Sequence, residues 1–221
     1  MKLKIIIIAI IALVSSNAFA QKQKPSATSS TDLSQPKVDS GVDAKEISIR
    51  DLAIQLGSPG GIIFLPDIDV EKKYRFEPPS LSVSDMLNSI AKVEPEYRWE
   101  TQDGVVNLFP ANKYPVFLDT IIPEFDAKDT NIHLSIDTLQ QLPVFQQQAT
   151  SFGYSNYTVR RVEFLSVLSS GKLKNFNVHC RNSTLRGVLN SIVRGHGRAV
   201  WGFREYMQNG NKFFQLWIIF S

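Results

Sequence analysis

Apolar residues recur along this chain with helical spacing in some stretches and strand spacing in others, and the order of the two predicts its elements. Ser48 followed by Asp51 makes a helix cap, and Ile49, Leu52, Ala53 and Leu56 then share one helical face before Gly57 ends the run. Gly60-Gly61 lead into the apolar residues 62–65, a run too short for a helix. Residues 74–77 read as the next strand, which Pro78-Pro79 stop. Ser82 with Asp85 repeats the capping pattern, and Val83, Met86, Leu87 and Ile90 give the spacing of an amphipathic helix. Strands over 97–101 and 105–109 flank Gln102-Asp103-Gly104, whose Asp-Gly pair suits the positive φ angles of a tight hairpin. The predicted order is helix, strand, strand, helix, strand, strand.

Much of this series returns. Leu87-Asn88-Ser89-Ile90 reappears as Leu189-Asn190-Ser191-Ile192, and at the same offset Trp99 reappears as Trp201. Residues 176–180 take the place of the strand at Tyr74, and Thr184 takes the capping place of Ser82. Leu185, Val188, Leu189 and Ile192 rebuild the apolar helical face, which Gly195-His196-Gly197 ends. A longer hairpin over 199–206 and 212–220 turns around Gln208-Asn209-Gly210-Asn211, a loop of different length from the first. Only five of the 28 aligned positions over 74–101 are identical, so the matching element order carries the repeat.

Between the copies, 116–122 reads as a strand, 139–152 as a helix interrupted or started at Pro143, and 158–168 as another strand. The fold expected is α+β, with duplicated small strand-helix-strand-strand modules, mixed sheets and helices packed on one face. In the last strand Phe214, Leu216, Ile218 and Phe220 line one side, while Phe213, Trp217 and Ile219 make the other nearly as apolar, so both sides need cover. Such a strand is central in its sheet. If it lies at an edge, Phe214, Leu216 and Ile218 mark an interface for strand addition.

The first residues read as an export signal. Lys2 and Lys4 precede an unbroken apolar run over 5–14, and Ala18-Phe19-Ala20 supplies the small residues for cleavage between Ala20 and Gln21. Ten residues span about 15 Å as a helix, half of a roughly 30 Å hydrocarbon core, so no stable membrane span is expected after cleavage. No cysteine sits at the cut for lipidation. Residues 21–42, rich in Ser, Thr, Gln, Lys and Pro, read as a disordered linker. The remaining organisation is a module over 43–110, a connector over 111–160 and a second module over 161–221. With 43% apolar and 20% charged residues the chain has the composition of a globular protein.

Its net charge of +3 conceals two territories. Residues 21–158 hold 12 basic and 19 acidic side chains, and 159–221 hold 10 basic and 2 acidic. Arg181, Arg186, Arg194, Arg198, Arg204 and Lys212 are the candidate residues for an anionic partner such as lipopolysaccharide or another acidic polymer. The competing expectation is that the acidic first module docks on the basic second one.

Chemistry is sparse. His133, His179 and His196 are the only histidines, and Cys180 is the only cysteine, so no intramolecular disulfide forms. His179 and Cys180 are adjacent on a strand and point to opposite faces, which keeps them from sharing a ligand. No Cys or His spacing provides the four ligands of structural zinc. Asp67, Asp69 and Glu71 lack the Gly and distal Glu of a calcium loop and read as a solvated turn. Gly57-Ser58-Pro59-Gly60-Gly61 has no following Lys and Ser or Thr to hold a phosphate, and reads as a turn. Gly195-His196-Gly197 is one residue too short for a KH-type clamp, and export disfavours nucleic acid as a partner. No catalytic residue, cofactor or metal site is expected.

The runs Ile47-Ser48-Ile49-Arg50-Asp51-Leu52-Ala53-Ile54-Gln55-Leu56, Ile62-Ile63-Phe64-Leu65, Tyr74-Arg75-Phe76, Leu81-Ser82-Val83-Ser84-Asp85-Met86-Leu87 and Tyr97-Arg98-Trp99 together resemble the secretin and TonB short N-terminal domain family. The likeness covers about residues 46–110, and a weaker one extends over 175–221. The resemblance implies a periplasmic interaction module of the kind found at outer-membrane secretins and TonB-dependent receptors. No secretin or barrel segment follows the modules here, so a fold and a binding habit are what it implies. The function expected is therefore that of an exported, non-enzymatic envelope protein, periplasmic or secreted, whose partner is another envelope protein.

Overall fold

Ser82 and Asp85 satisfy the first turn of a helix in the way their spacing predicts. The Ser82 Oγ accepts from the Asp85 amide at 3.2 Å and the Asp85 carboxylate accepts from the Ser82 amide at 3.1 Å, and residues Val83–Val93 form helix α1 behind them. The hydrogen bonds from the Ser82 hydroxyl and amide hold the Asp85 carboxyl below the usual carboxylate range. The computed structural model describes residues 45–48, 58–66, 68, 72–76, 82–163 and 174–220. The expected signal peptide, the linker, the helix near 49–56, the carboxylates Asp67, Asp69 and Glu71, and the strand tail beyond Glu163 lie outside them.

The protein is a mixed α+β fold. Before α1 come strands β1 (Lys45–Ser48), β2 (Gly60–Phe64) and β3 (Lys73–Phe76), and after it β4 (Tyr97–Gln102) and β5 (Val105–Pro110). β1 pairs antiparallel with β3, and β5 lies between β4, antiparallel, and β2, parallel. Next come β6 (Ile121–Thr130), helices α2 (Ile132–Gln141) and α3 (Pro143–Ser151), and strands β7 (Tyr154–Glu163) and β8 (Phe176–Thr184). Helix α4 (Leu185–His196) and strands β9 (Ala199–Gln208) and β10 (Asn211–Phe220) complete the chain's described elements. β6 pairs antiparallel with β8, and β10 lies between β9, antiparallel, and β7, parallel. The pairings of the two halves thus correspond strand for strand, β1 with β6, β2 with β7, β3 with β8, β4 with β9 and β5 with β10. A parallel pairing of β2 with β9 joins them into one six-stranded sheet of order β4-β5-β2-β9-β10-β7.

The two halves face opposite ways across that sheet. Ile63, Phe109, Trp201, Phe203, Phe214, Leu216 and Ile218 turn to one side, where they pack with α4, α2, α3 and the β6–β8 ribbon. Their neighbours Ile62, Phe64, Leu108 and Val200 turn to the other side, where Leu87 and Ile90 of α1 and Ile47, Tyr74 and Phe76 of the β1–β3 ribbon cover them. Within each half the helices cover one face of that half's strands, and in the joined sheet both faces are covered. The two sides of β10 are apolar for this reason: Phe214, Leu216 and Ile218 belong to one core, and Trp217 meets Phe64 edge-on at 5.5 Å in the other.

Several elements depart from expectation. The strand expected over 116–122 is instead a 3₁₀ turn, Val116–Asp119, followed by β6, which runs on to Thr130. Phe117 explains the turn, since its ring is the hub of an aromatic cluster with Phe145 at 5.5 Å, Tyr154 at 5.3 Å and Phe214 at 5.1 Å. Residues 111–160, expected as a connector, supply β6, α2, α3 and most of β7, all paired or packed with the second half. The helix expected over 139–152 is two helices meeting at Leu142-Pro143, with Pro143 at the start of α3, where its missing N–H costs least. The second hairpin does not differ in its loop. Asn209 and Gly210 form a two-residue turn with φ 52° and 77°, matching Asp103 and Gly104 at 51° and 75°, and the strands are what lengthen.

Gly60 and Gly61 lie inside β2 rather than in a turn. A Cβ at Gly61 would stand 2.2 Å from Cε2 of the Trp201 indole, so glycine is the residue that lets β2 and β9 meet. Gly61→Val is expected to destabilise the fold by roughly 1–3 kcal/mol or more through overpacking, read as a lower urea midpoint. A midpoint equal to the wild type would show that the indole moves aside freely.

His196, only 7% exposed at the end of α4, is held by burial, and secondarily by the nearby Lys174 ammonium, below its ordinary value of 6.5. The unfolded chain therefore binds a proton near pH 6.5 that the folded chain takes up only at lower pH. Stability contributed by neutral His196 is complete above that pH and falls as the pH drops below it. His196→Gln is expected to flatten this decline in denaturant titrations between neutral and mildly acidic pH.

Candidate interaction site at the sheet edge

Five of the six candidate cations have partners of their own within the molecule. Arg181 lies 3.8 Å from Glu124, Arg186 donates to Glu100 at 2.9 Å, and Arg194 lies 4.0 Å from Asp103. Arg204 donates to the Pro66 carbonyl. Lys212 is 3.4 Å from Glu205 and sits over the Tyr154 ring, while Arg198 is exposed. Arg186, Arg194 and Arg204 reach from the second half to acceptors in the first. Part of the charge asymmetry is thus used inside the molecule, at half-exposed pairs worth at most about 1 kcal/mol each.

Phe214, Leu216 and Ile218 are not an interface. All three are buried, and β10 has a hydrogen-bonded strand on either side, so its backbone groups are already spent on β9 and β7. On β8, Cys180 faces the core, while His179 points outward 3.6 Å from the Asp126 carboxylate. Among the described residues no group of three or more His, Cys, Asp and Glu comes together. Among them, too, no helix is long and apolar enough to cross a membrane.

The repeated motif has a structural use. In the second half, the Trp201 indole Nε1 donates to Asn190 Oδ1 at 2.7 Å, tying β9 to α4. In the first half, the Trp99 indole Nε1 donates to Asn88 Oδ1 at 2.9 Å, tying β4 to α1. The Leu and Ile of each motif anchor the helix in its core: Leu87, Ile90, Leu189 and Ile192 are at most 1% exposed. The spacing preserved between Asn and Trp is therefore the spacing of one helix-to-strand hydrogen bond. The motif was visible in the sequence, but its pairing was not, because it joins side chains from different elements.

The surroundings of the two tryptophans differ. Trp201 is fully buried, with β2 beside its strand and Gly61 against its ring. Trp99 is half-buried and Asn88 exposed, because β4 pairs only with β5 among the described strands. Along the outer edge of β4 no described strand lies. Of its side chains, Arg98 lies over the Phe109 ring at 4.7 Å, and Glu100 is 45% exposed beside Arg186. Tyr97 is buried, and its hydroxyl accepts from the Leu65 amide at 2.9 Å; desolvation pushes that phenol up to about 12. β4 is thus anchored at its start and along one side, while on its other side no described strand pairs with it.

No protein-family model, curated protein or solved structure matches this chain.

Asn190→Ala is expected to cost about 1–3 kcal/mol, because it leaves a buried indole N–H without its acceptor. Asn88→Ala, at a position water reaches, is expected to stay within about 0.5 kcal/mol. Denaturant midpoints of the two variants check the difference, and equal losses would contradict the assignment of a buried and an open copy of the same bond.

Proposed function

We propose that this chain is an exported, non-enzymatic protein of the bacterial cell envelope that acts by binding another envelope protein, with two units of the secretin N-terminal type as its framework. The observation that carries the proposal is the outer edge of β4, which no described strand pairs and which Tyr97 and the Trp99–Asn88 bond seat in the first half, placed to take a further strand. The corresponding strand pairings of the two halves support a tandem of like units, and the apolar run ahead of Ala20 supports export. The competing role, binding of an acidic polymer through the basic second half, draws less support, because the cations of that half are spread over separate partners.

A photocrosslinking residue at Thr101, exposed on β4, tests this in living cells, with the same residue at exposed Met207 as control. The expected result is a mature chain beginning at Gln21, outside the cytoplasm, joined to one envelope protein from Thr101 and not from Met207. Retention in the cytoplasm, or no adduct at Thr101, would overturn the proposal. Recovery of acidic polymer that a high-salt wash removes would move the function to the basic half.

A further inference from the structure

The molecule contains, at its own centre, the contact that its edge lacks. β9 and β4 are equivalent strands: each follows a helix carrying the Leu-Asn-Ser-Ile motif, each receives that helix's Asn on its Trp, and each turns through a two-residue hairpin into its partner. β9 has β2 on its other side, in parallel register, with Gly61 opposite Trp201 and Ile62 opposite Gly202. β4 has no described strand there. The residues at the two register positions are Trp99 and, in place of Gly202, Glu100.

Resting on the function proposed above, we infer that the strand recognised by β4 adds parallel to it with a glycine opposite Trp99 and a basic residue opposite Glu100. The glycine requirement follows from geometry. Trp99 makes the same kind of hydrogen bond to its helix as Trp201 does, and beside Trp201 a Cβ at Gly61 would stand 2.2 Å from the ring. The basic residue follows from charge. At Gly202 the space above the backbone is filled by Phe64, whose ring would lie 3.0 Å from an added Cβ, and by Trp217 at 3.2 Å, so Ile62 sits in an apolar setting. At β4 the same position carries a half-exposed carboxylate that accepts one bond from Arg186, and an apolar neighbour would strip water from its remaining lone pairs without replacing those hydrogen bonds.

The rule also disfavours the chain's other sheet edge as the occupant in this register. β7 is equivalent to β2, and the register across β10 places Arg160 where Gly61 stands and Arg161 where Ile62 stands. The charge of Arg161 would suit Glu100, but Arg160 puts a side chain at the position where glycine is required. In that register β7 of a second copy is therefore a poorer match to β4 than a strand with glycine there.

The test uses the full mature chain and two synthetic peptides based on residues 58–65, both with lysine at the Ile62 position and one with valine at the Gly61 position. The Trp99 indole N–H resonance, assigned by its loss in Trp99→Phe, reports binding. The glycine peptide is expected to shift it saturably, and the valine peptide to bind at least about ten-fold more weakly. Glu100→Lys is expected to weaken the lysine peptide and to favour one with glutamate at that position. Equal binding of the glycine and valine peptides, no shift with either, or indifference to the Glu100 charge swap would overturn the inference. If the peptides fail while Thr101 still traps an envelope protein, this strand chemistry falls and the interaction role stands; if both fail, the role falls with it.

Discussion

The contact of the Trp201 indole with Gly61 holds the architecture together, because it is where the halves become one sheet. The indole is fixed from behind by Asn190 on α4 and meets β2 in front, so a single side chain couples a helix, its own strand and a strand from the other half. A β-branched residue at Gly61 would press on the indole and loosen the pairing of β2 with β9. The halves share few residues, and among those shared are the Asn and Trp of a helix-to-strand hydrogen bond present in each, with the Leu and Ile that seat the helix.

Much of the fold was legible where the chemistry is local. Ser82 and Thr184 cap helices, Pro143 starts one, and Asp103-Gly104 and Asn209-Gly210 turn hairpins, because each acts on backbone groups a few residues away. β6 was shortened in the sequence reading because Pro123, Glu124, Asp126, Lys128 and Asp129 obscure the alternation that buries Ile122, Phe125, Ala127 and Thr130. Gly60-Gly61 looked like a turn because glycine is read first as conformational freedom, whereas here it is absence of volume, and the indole demanding that absence is far along the chain.

The candidate site was legible only in outline. The repeat pointed to Trp99 and Trp201 together but gave no sign that one would be covered and the other open, since that depends on which strand ends the sheet. The excess of basic residues in the second half was legible, but not that Arg186, Arg194 and Arg204 meet carboxylates or a carbonyl of the first half, because those contacts join distant parts of the chain. The apolar last strand was read as needing cover on both sides, and its central position provides it.

The parallel pairing of β2 with β9 also sets an order of events. β2 lies near the start of the described residues and β9 near their end, so the joint closes a long loop, and the entropy of that closure makes it an expected late contact in folding. Until then β2 carries a bare backbone edge and two glycines that exclude few neighbours, while Trp201 awaits its place. During this interval an unfinished first half is the species most exposed to wrong partners, and the tempo at which the chain emerges becomes part of what makes the fold attainable.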